Sequence, residues 1–125
     1  MKLAVLGAGA WGTAISICLA RRHAVTLWAR DAEQTRALVV ARANQRYLPG
    51  HTIPDAVLVT SELAVARDGC DLILAATATA GLRPTLRQLT ALGAAAPLVW
   101  LCKGFETGSA QLPHQIAASE LPATL

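Results

Sequence analysis

Aromatic and charged residues are scarce in this 125-residue sequence. Aromatic side chains account for 4% of the residues and charged side chains for 15%, whereas hydrophobic residues account for 54%. This balance argues against an intrinsically disordered chain, because there is enough apolar surface to bury in a core. The length suits a single domain, residues 1–125, and leaves no room for a second one.

Patterns that would support disulfide, metal or triad chemistry are missing. The three cysteines, Cys18, Cys70 and Cys102, lie far apart within apolar stretches, with no Cys-x-x-Cys spacing. We therefore expect buried free thiols in a reducing cytoplasm. No set of His, Cys and Asp residues has metal-ligand spacing, and no order of Ser, His and Asp suggests a nucleophilic triad. We predict neither a metal site nor a catalytic residue of these kinds.

Positive charge is not concentrated along the chain. The net charge is +3, but the Lys and Arg residues are scattered and Arg21-Arg22 is the only adjacent basic pair. Scattered charge of this kind is typical of a solvated surface, so we predict no nucleic-acid partner. A weak attraction for phosphorylated ligands stays open.

An uncharged run of eighteen residues, 3–20, could be mistaken for a signal peptide or a membrane span. Three glycines interrupt its centre and would weaken a helix there. The positive pair Arg21-Arg22 follows the run instead of preceding it, and the length barely reaches that of a span. We therefore expect a cytoplasmic protein without membrane insertion.

Short apolar runs alternate with helical segments along the sequence. The run at 2–6 is wholly apolar after its first residue, which is typical of a strand buried on both faces of a parallel sheet. The alternation predicts an α/β fold with a doubly wound, open parallel sheet, the Rossmann architecture. The predicted strands are 2–6, 24–29, 56–59, 70–76 and 97–102; the predicted helices are 10–22, 31–42, 61–69, 80–92 and 111–119; residues 43–55 are predicted to form a loop.

The glycine-rich segment at 7–12 follows the first predicted strand and opens a helix. Its sequence is G-x-G-x-x-G, and this position is the one in which the pattern indicates dinucleotide binding. Gly7 would permit the tight turn, Gly9 would let the backbone approach a pyrophosphate, and Gly12 would let the helix pack closely on the strand. The helix N-terminus would then favour the anion.

The residue at the end of the second predicted strand decides which nicotinamide cofactor fits. A carboxylate there binds the ribose 2′-hydroxyl of NAD, whereas an arginine accepts the 2′-phosphate of NADP. The residue is Arg30, and the next residue, Asp31, is expected to cap the following helix in a capping box with Gln34. We therefore expect NADP, or use of both NADP and NAD, with a solvated surface arginine as the alternative.

Two further candidates lie at the same edge of the sheet, where ligands bind in such folds. Trp11 occupies a variable position of the glycine loop, where its side chain would face either the cofactor cleft or a partner domain, with core packing as the alternative. Lys103 follows the last predicted strand and precedes Gly104. A lysine there could reach a phosphate or a substrate oxygen.

Four segments together resemble a known family. They are G-A-G-A-W-G at 7–12, L-W-A-R at 27–30, R-Y-L-P-G at 46–50 and K-G-F-E at 103–106. Their order and spacing resemble bacterial NAD(P)-dependent glycerol-3-phosphate dehydrogenase, over essentially all 125 residues. The last three segments are more specific than the glycine pattern, because many dinucleotide-binding proteins share the latter.

The resemblance implies reversible hydride transfer between NAD(P)H and dihydroxyacetone phosphate, which gives sn-glycerol 3-phosphate for phospholipid synthesis. It implies that Ala10, Trp11 and Arg30 contact the cofactor and that Lys103 contacts both the cofactor and a small phosphorylated substrate. Family members continue into an all-helical domain that holds the general acid/base lysine. That domain is absent from this chain, so we expect no catalytic residue here and no activity of the chain alone.

The sequence departs from the family pattern at one position. Relatives usually have proline where this chain has Ala78, beside the nicotinamide, whereas Arg83 stands where the pattern places it. The resemblance further implies that the chain stops where relatives run into a sixth strand, as the first part of a longer protein. A homodimer of that full-length protein stays open.

Two alternatives remain beside this interpretation. One is another two-domain dehydrogenase, such as a ketopantoate reductase or a 3-hydroxyacyl-CoA dehydrogenase, against which the segments at 46–50 and 103–106 argue. The other is a module that senses NAD(H) and regulates a partner without catalysis. A lysine at the end of the fifth predicted strand argues against that second alternative.

Overall fold

The computed structural model describes residues 1–93 and 96–121, and its described part is built around one parallel sheet. Residues 94–95 and 122–125, including the approach to a sixth strand that the resemblance implies, lie outside the described residues. The strands are β1 (Lys2–Leu6), β2 (Ala24–Trp28), β3 (Ala43–Asn44), β4 (Leu48–Thr52), β5 (Leu58–Thr60), β6 (Leu72–Ala75) and β7 (Leu98–Trp100). The helices are α1 (Ala10–Leu19), α2 (Ala32–Ala41), α3 (Leu63–Arg67), α4 (Thr79–Ala91) and α5 (Pro113–Glu120).

The main sheet has the strand order β5-β2-β1-β6-β7, with every neighbouring pair parallel. The predicted α/β fold with an open parallel sheet is therefore confirmed. Strand β1 lies between β2 and β6, so the chain winds outward from β1 in both directions. Because strand order reverses there, the carboxyl end of β1 is the place where such sheets bind ligands.

The sheet buries apolar side chains on both of its faces. Leu3 and Val5 belong to one buried cluster, and Ala4 and Leu6 belong to the other. Successive residues of a strand point to opposite faces, so a central strand covered on both sides must be apolar at every position. This explains why β1 has no polar residue after Lys2.

Predicted element ends differ from the observed ends by up to three residues. Helix α1 stops at Leu19 instead of residue 22, because the amides of Arg22 and His23 both donate to the Leu19 carbonyl and close a turn. The strands β6 and β7 are shorter than predicted, and β5 begins two residues later, at Leu58. Element type was predicted correctly in each of these cases, while the ends were not.

The predicted loop at 43–55 was wrong, because it contains the antiparallel pair β3 and β4. Residue pairing joins Ala43 to Thr52 and Asn44 to Leu48, with an irregular register between the two pairs. The segment is held by burial at both ends, since Asn44 is 2% exposed and Ile53 is fully buried. Strand β3 has only two residues, and β4 contains Pro and Gly and is exposed after its first residue, so neither has an alternation that a sequence pattern could detect.

The cysteines are free thiols, as expected, but their predicted burial was wrong in part. Cys18 is exposed because α1 buries a different side, which carries Gly12, Thr13 and Ser16. Cys70 and Cys102 are half-buried, and desolvation raises the pKa of both thiols above its usual value.

Helix lengths and composition bear on the membrane question. Across residues 1–93 and 96–121, no helix combines the length and the apolar character that crossing a bilayer would require. The apolar run that begins near the N-terminus is divided between strand β1, the glycine loop and helix α1.

Candidate functional site

A cavity of about 450 Å³ opens at the carboxyl end of β1, where the strand order reverses. Its size falls in the range of small-molecule sites, about 300–1,000 Å³. The wall comes from the glycine loop, the end of β2, the segment after β6, α2, α4 and the β3–β4 hairpin. It is lined by residues 7–9, 28–30, 34, 47, 76–78, 80, 81 and 85.

Gly7 and Gly12 are required by the geometry of the protein itself. Gly7 has a φ of +111°, and a Cβ there would lie 2.8 Å from the backbone of Ala76. A Cβ on Gly12 would lie 1.8 Å from the Gly7 carbonyl oxygen, a severe overlap. The turn and the close packing of helix against strand therefore both depend on a missing side chain.

Gly9 differs from these two glycines. Its φ of −78° and ψ of −166° are open to any residue, and a Cβ there would meet no atom within 4 Å. Neither backbone conformation nor packing within the described residues explains a glycine here. The space beside its Cα lies open to the cavity, so a ligand has room to approach the backbone closely here.

The N-terminus of α1 meets the cavity at Gly9. This residue is the N-cap, and no side chain caps the helix and no acidic residue lies in its first turn. The first amides of a helix have no partner inside it, and they carry a partial positive charge. An anion such as a phosphate is therefore well suited to this position.

Arg30 lines the cavity at the end of β2, as the sequence predicted. Its side chain makes no hydrogen bond or ion pair with any residue in the described ranges, so its five donors remain available. The neighbouring Asp31 is occupied elsewhere, because it accepts a hydrogen bond from the Glu33 amide at 2.9 Å as the N-cap of α2.

The predicted capping box at this helix is only half formed. Asp31 caps as expected, but the Gln34 side chain does not return to the N-cap; its Nε2 donates instead to the Ala8 carbonyl at 3.0 Å. Gln34 thereby contacts the glycine loop and lines the cavity. Tyr47, on the hairpin, lines it as well, with the Arg46 guanidinium 5.1 Å above its ring. Sequence reasoning missed both residues as wall components.

Thr77 belongs to the segment 77–83, which the sequence places at the ligand-binding edge of the sheet, but it was not predicted as a site residue. It lines the cavity just after β6, and its Oγ1 is buried without a hydrogen-bond partner among the described residues. An unsatisfied buried hydroxyl costs free energy, and such a group next to a cavity indicates a missing polar partner. The next residue, Ala78, is the position at which the sequence departs from the family pattern, so no motif pointed to Thr77.

Several predicted residues lie at the same edge of the sheet without lining this cavity. Ala10, Trp11, Gly12 and Lys103 are not among the wall residues. The Trp11 side chain is 75% exposed, which rules out the core-packing alternative. Lys103 is exposed too, while its carbonyl accepts a hydrogen bond of 2.7 Å from Thr79 Oγ1. Gly104 then has a φ of +95°, which favours glycine after the lysine.

A cluster of paired charges lies beside the Lys103 loop. Arg83, on α4, forms ion pairs with Glu106 at 3.0 Å and with Glu120 at 2.6 Å, and its guanidinium also donates to Gln111 and Ser119. The hydrogen bonds from Arg83, and then those from Ser109, hold the pKa of the Glu106 carboxyl below its usual value. This cluster joins α4 to α5 and to the loop after β7.

The described residues do not support a metal site. Among residues 1–93 and 96–121, no three His, Cys, Asp or Glu side chains come together in a way that could hold a metal ion. The polar groups that line the cavity are backbone amides, Arg30, Gln34, Tyr47 and threonine hydroxyls.

Comparison with known proteins identifies close relatives. A family model described as NAD-dependent glycerol-3-phosphate dehydrogenase N-terminus matches residues 2–125. The glycerol-3-phosphate dehydrogenase (NAD(P)+) of Nitrosomonas europaea is 50% identical over 125 residues, which are 100% of this chain and 38% of the relative. The protein of the same name from a Janthinobacterium species is 53% identical over 119 residues, 93% of this chain and 36% of the relative.

A solved structure agrees with these relatives. The crystal structure of glycerol-3-phosphate dehydrogenase from Coxiella burnetii matches with a TM-score of 0.88 at 30% identity, over 96% of this chain and 37% of that chain. The chain thus spans little more than a third of the length of the relatives it matches.

Proposed function

Since this chain belongs to the NAD-dependent glycerol-3-phosphate dehydrogenase family, we propose that it is the dinucleotide-binding part of such an enzyme. The enzyme would interconvert sn-glycerol 3-phosphate and dihydroxyacetone phosphate with NADP or NAD, for glycerophospholipid synthesis. Residues 1–125 would form the cofactor domain. The general acid/base group and most substrate contacts would come from a helical domain outside these 125 residues.

The observation that carries the cofactor proposal is the open space beside Gly9. The other two glycines of the motif are explained by the fold, whereas Gly9 has an ordinary backbone conformation and no neighbour within 4 Å of an added Cβ. A pyrophosphate seated on the N-terminus of α1 would explain it. The unpartnered hydroxyl of Thr77, another residue of the cavity wall, supports a polar ligand in the same cavity.

Different residues of the chain would then bind different groups of the cofactor and the substrate. The amides that begin α1 would bind the pyrophosphate, Arg30 would pair with a 2′-phosphate, and Lys103 would bring its ammonium to the cofactor and the substrate. A bound nicotinamide supplies or accepts the hydride. Lys103 would stabilise the negative charge that develops on the substrate oxygen, a contribution of the electrostatic kind that is often the largest in catalysis.

The setting of the enzyme is part of the same proposal. We expect it in the cytoplasm, with a small phosphorylated molecule as its substrate and neither nucleic acid nor a membrane as its partner. Whether the full-length protein is a homodimer can be measured by light scattering. Lys103 and Arg30 supply the positive charge that a phosphorylated substrate and cofactor require, and both side chains are exposed.

Activity can be tested in a chimera. This chain would replace the first 38% of the Nitrosomonas europaea relative, which it matches over all 125 residues. We expect oxidation of NADPH and NADH that depends on dihydroxyacetone phosphate. The isolated 125-residue chain should bind NADPH in calorimetric titration but should not turn over.

The outcomes separate the alternatives. A folded chimera that binds NADPH but reduces no dihydroxyacetone phosphate would favour the sensing module. A folded chain that binds neither dinucleotide would overturn the cofactor proposal itself. Turnover in the chimera, together with none in the isolated chain, would support the division of labour between the two domains.

A further inference from the structure

Two side-chain amides converge on one backbone oxygen of the glycine loop. Gln34 Nε2 donates to the Ala8 carbonyl oxygen at 3.0 Å, and Asn44 Nδ2 donates to the same atom at 2.8 Å. Gln34 lies on α2 and Asn44 on β3, so two separate elements hold this oxygen. Ala8 itself lines the cavity.

Asn44 is unusual among the residues around the cavity. Its side chain is 2% exposed and is not part of the wall, yet its Oδ1 accepts the Tyr47 amide at 3.2 Å and its Nδ2 also contacts Thr13 Oγ1 at 2.8 Å. It therefore joins two wall residues, Ala8 and Tyr47, by hydrogen bonds without lining the cavity itself. The β3–β4 hairpin that carries it was not predicted from the sequence.

The peptide geometry gives this contact a consequence at Gly9. The Ala8 carbonyl and the Gly9 amide belong to one planar trans peptide unit, so they point in opposite directions. Fixing the oxygen toward α2 and β3 therefore fixes the Gly9 N–H on the other side. It also keeps a partial negative charge away from the position where an anion would sit.

We propose that Asn44, together with Gln34, is a positioning residue that sets the Ala8–Gly9 peptide so that the Gly9 N–H is directed at the pyrophosphate of a bound dinucleotide. This inference rests on the proposed function, because it assumes a dinucleotide in the cavity. The two amides act through the backbone of the glycine loop, and Asn44 does not touch the ligand.

The test uses variants that remove the donors to the Ala8 carbonyl oxygen. Asn44→Asp keeps an oxygen for the Tyr47 amide but cannot donate to Ala8, and Gln34→Met keeps the side-chain length without a donor. Thr35→Val is the matched control, because Thr35 lies on the same helix and its hydroxyl donates to the Asp31 carbonyl, outside the glycine loop. Each variant and the double variant are titrated with NADPH and with NADH, and melting curves establish that they are folded.

We expect each single variant to bind about threefold to tenfold more weakly, the usual range for one lost hydrogen bond. The loss should be the same for NADPH and NADH, since both have the pyrophosphate and only one has the 2′-phosphate. A general loosening of the wall near Arg30 and Tyr47 would change the ratio of the two affinities. The double variant should lose more than the two single factors multiplied, because either donor alone still orients the peptide.

Equal binding by the folded double variant and Thr35→Val would overturn the inference, and so would a loss confined to NADPH. If the double variant does not fold, the two single variants decide by the same comparison. Should the parent chain bind neither dinucleotide, the proposed function fails and this inference falls with it. If the parent binds and the donor variants bind equally well, only the inference is wrong.

Discussion

Two arginines, Arg30 just after β2 and Arg83 on α4, have opposite surroundings. Arg83 is enclosed by acceptors, with two ion pairs and further hydrogen bonds, and its side chain is 18% exposed. Arg30 lines a cavity and contacts no acceptor in the described part of the chain. The first arginine ties α4 to α5 and the loop after β7, so its charge is used by the fold. The second leaves its donors available at the cavity, where we propose that a 2′-phosphate binds.

The glycines show the same division. The fold explains Gly7 by its backbone conformation and Gly12 by its packing, and it leaves Gly9 without a reason of its own. A residue whose identity the fold explains is a poor indicator of function. A residue that the fold leaves unexplained, at the edge of the sheet where ligands bind, is a good one.

The largest expected effect concerns Lys103, which is also exposed at this edge of the sheet. Lys103→Ala in the chimera should lower the turnover of dihydroxyacetone phosphate about a hundredfold, because an ammonium that stabilises developing oxyanion charge is lost. The melting temperature should not change, since among the described residues Lys103 is held by a hydrogen bond to its carbonyl and not by one from its side chain. Turnover within about threefold of the parent would show a surface lysine instead.

The next effect concerns Arg30. Arg30→Ala should weaken NADPH binding about tenfold to a hundredfold and weaken NADH binding less, because a charge-assisted contact with the 2′-phosphate contributes about 1.5–3 kcal/mol. Arg36→Ala is the matched control, an exposed arginine on α2 outside the cavity wall. Equal losses of affinity for both dinucleotides would show that Arg30, like Arg83, stabilises the fold and does not select the cofactor.

The smallest effect concerns Arg83 and appears as a pH dependence of stability. Hydrogen bonds from Arg83 lower the pKa of Glu106, and those from Arg87 and then Arg83 lower the pKa of Glu120, both from an ordinary value of 4.5. A carboxyl whose pKa is lowered by folding stabilises the protein above the unfolded value, and that stabilisation is lost as the pH falls through the lowered one.

Melting temperatures of the parent and of Arg83→Met between pH 7 and pH 3 measure this dependence. We expect the parent to melt higher at neutral pH and to lose its advantage below pH 4.5, the unfolded value. NADPH binding at neutral pH should be alike in the two proteins, provided both are folded. Parallel curves over the whole range would show that the paired charges do not stabilise the fold.

The sequence predicted the parts of this fold that depend on short-range patterns. The wholly apolar run of β1 and the spacing of strands and helices indicate the sheet, and the glycine motif indicates the cavity. The hairpin at 43–52 could not be predicted, because it is held by the burial of Asn44 and Ile53 against distant elements. Gln34 illustrates the same limit: a local capping contact and a distant one to Ala8 competed, and the distant one formed.

The site was predicted to a similar extent. Arg30 and the glycines follow from their places at strand ends, whereas Gln34 and Tyr47 line the cavity only because separate elements converge there. No local sequence pattern indicates that Arg83 pairs with Glu106 and Glu120, which lie 23 and 37 residues away. Contacts of that kind require the tertiary structure.

The central claim is that the missing side chain of Gly9 leaves space for a bound dinucleotide, and Gly9→Thr tests it most directly. Threonine serves as an N-cap about as well as glycine, and the φ of −78° suits it, so the melting temperature should equal that of the parent. Its side chain would occupy the space where the pyrophosphate binds. We predict that the parent binds NADPH in calorimetric titration while the folded Gly9→Thr variant loses more than about tenfold in affinity, or about 1.4 kcal/mol. Equal affinity in two equally stable proteins would contradict the account.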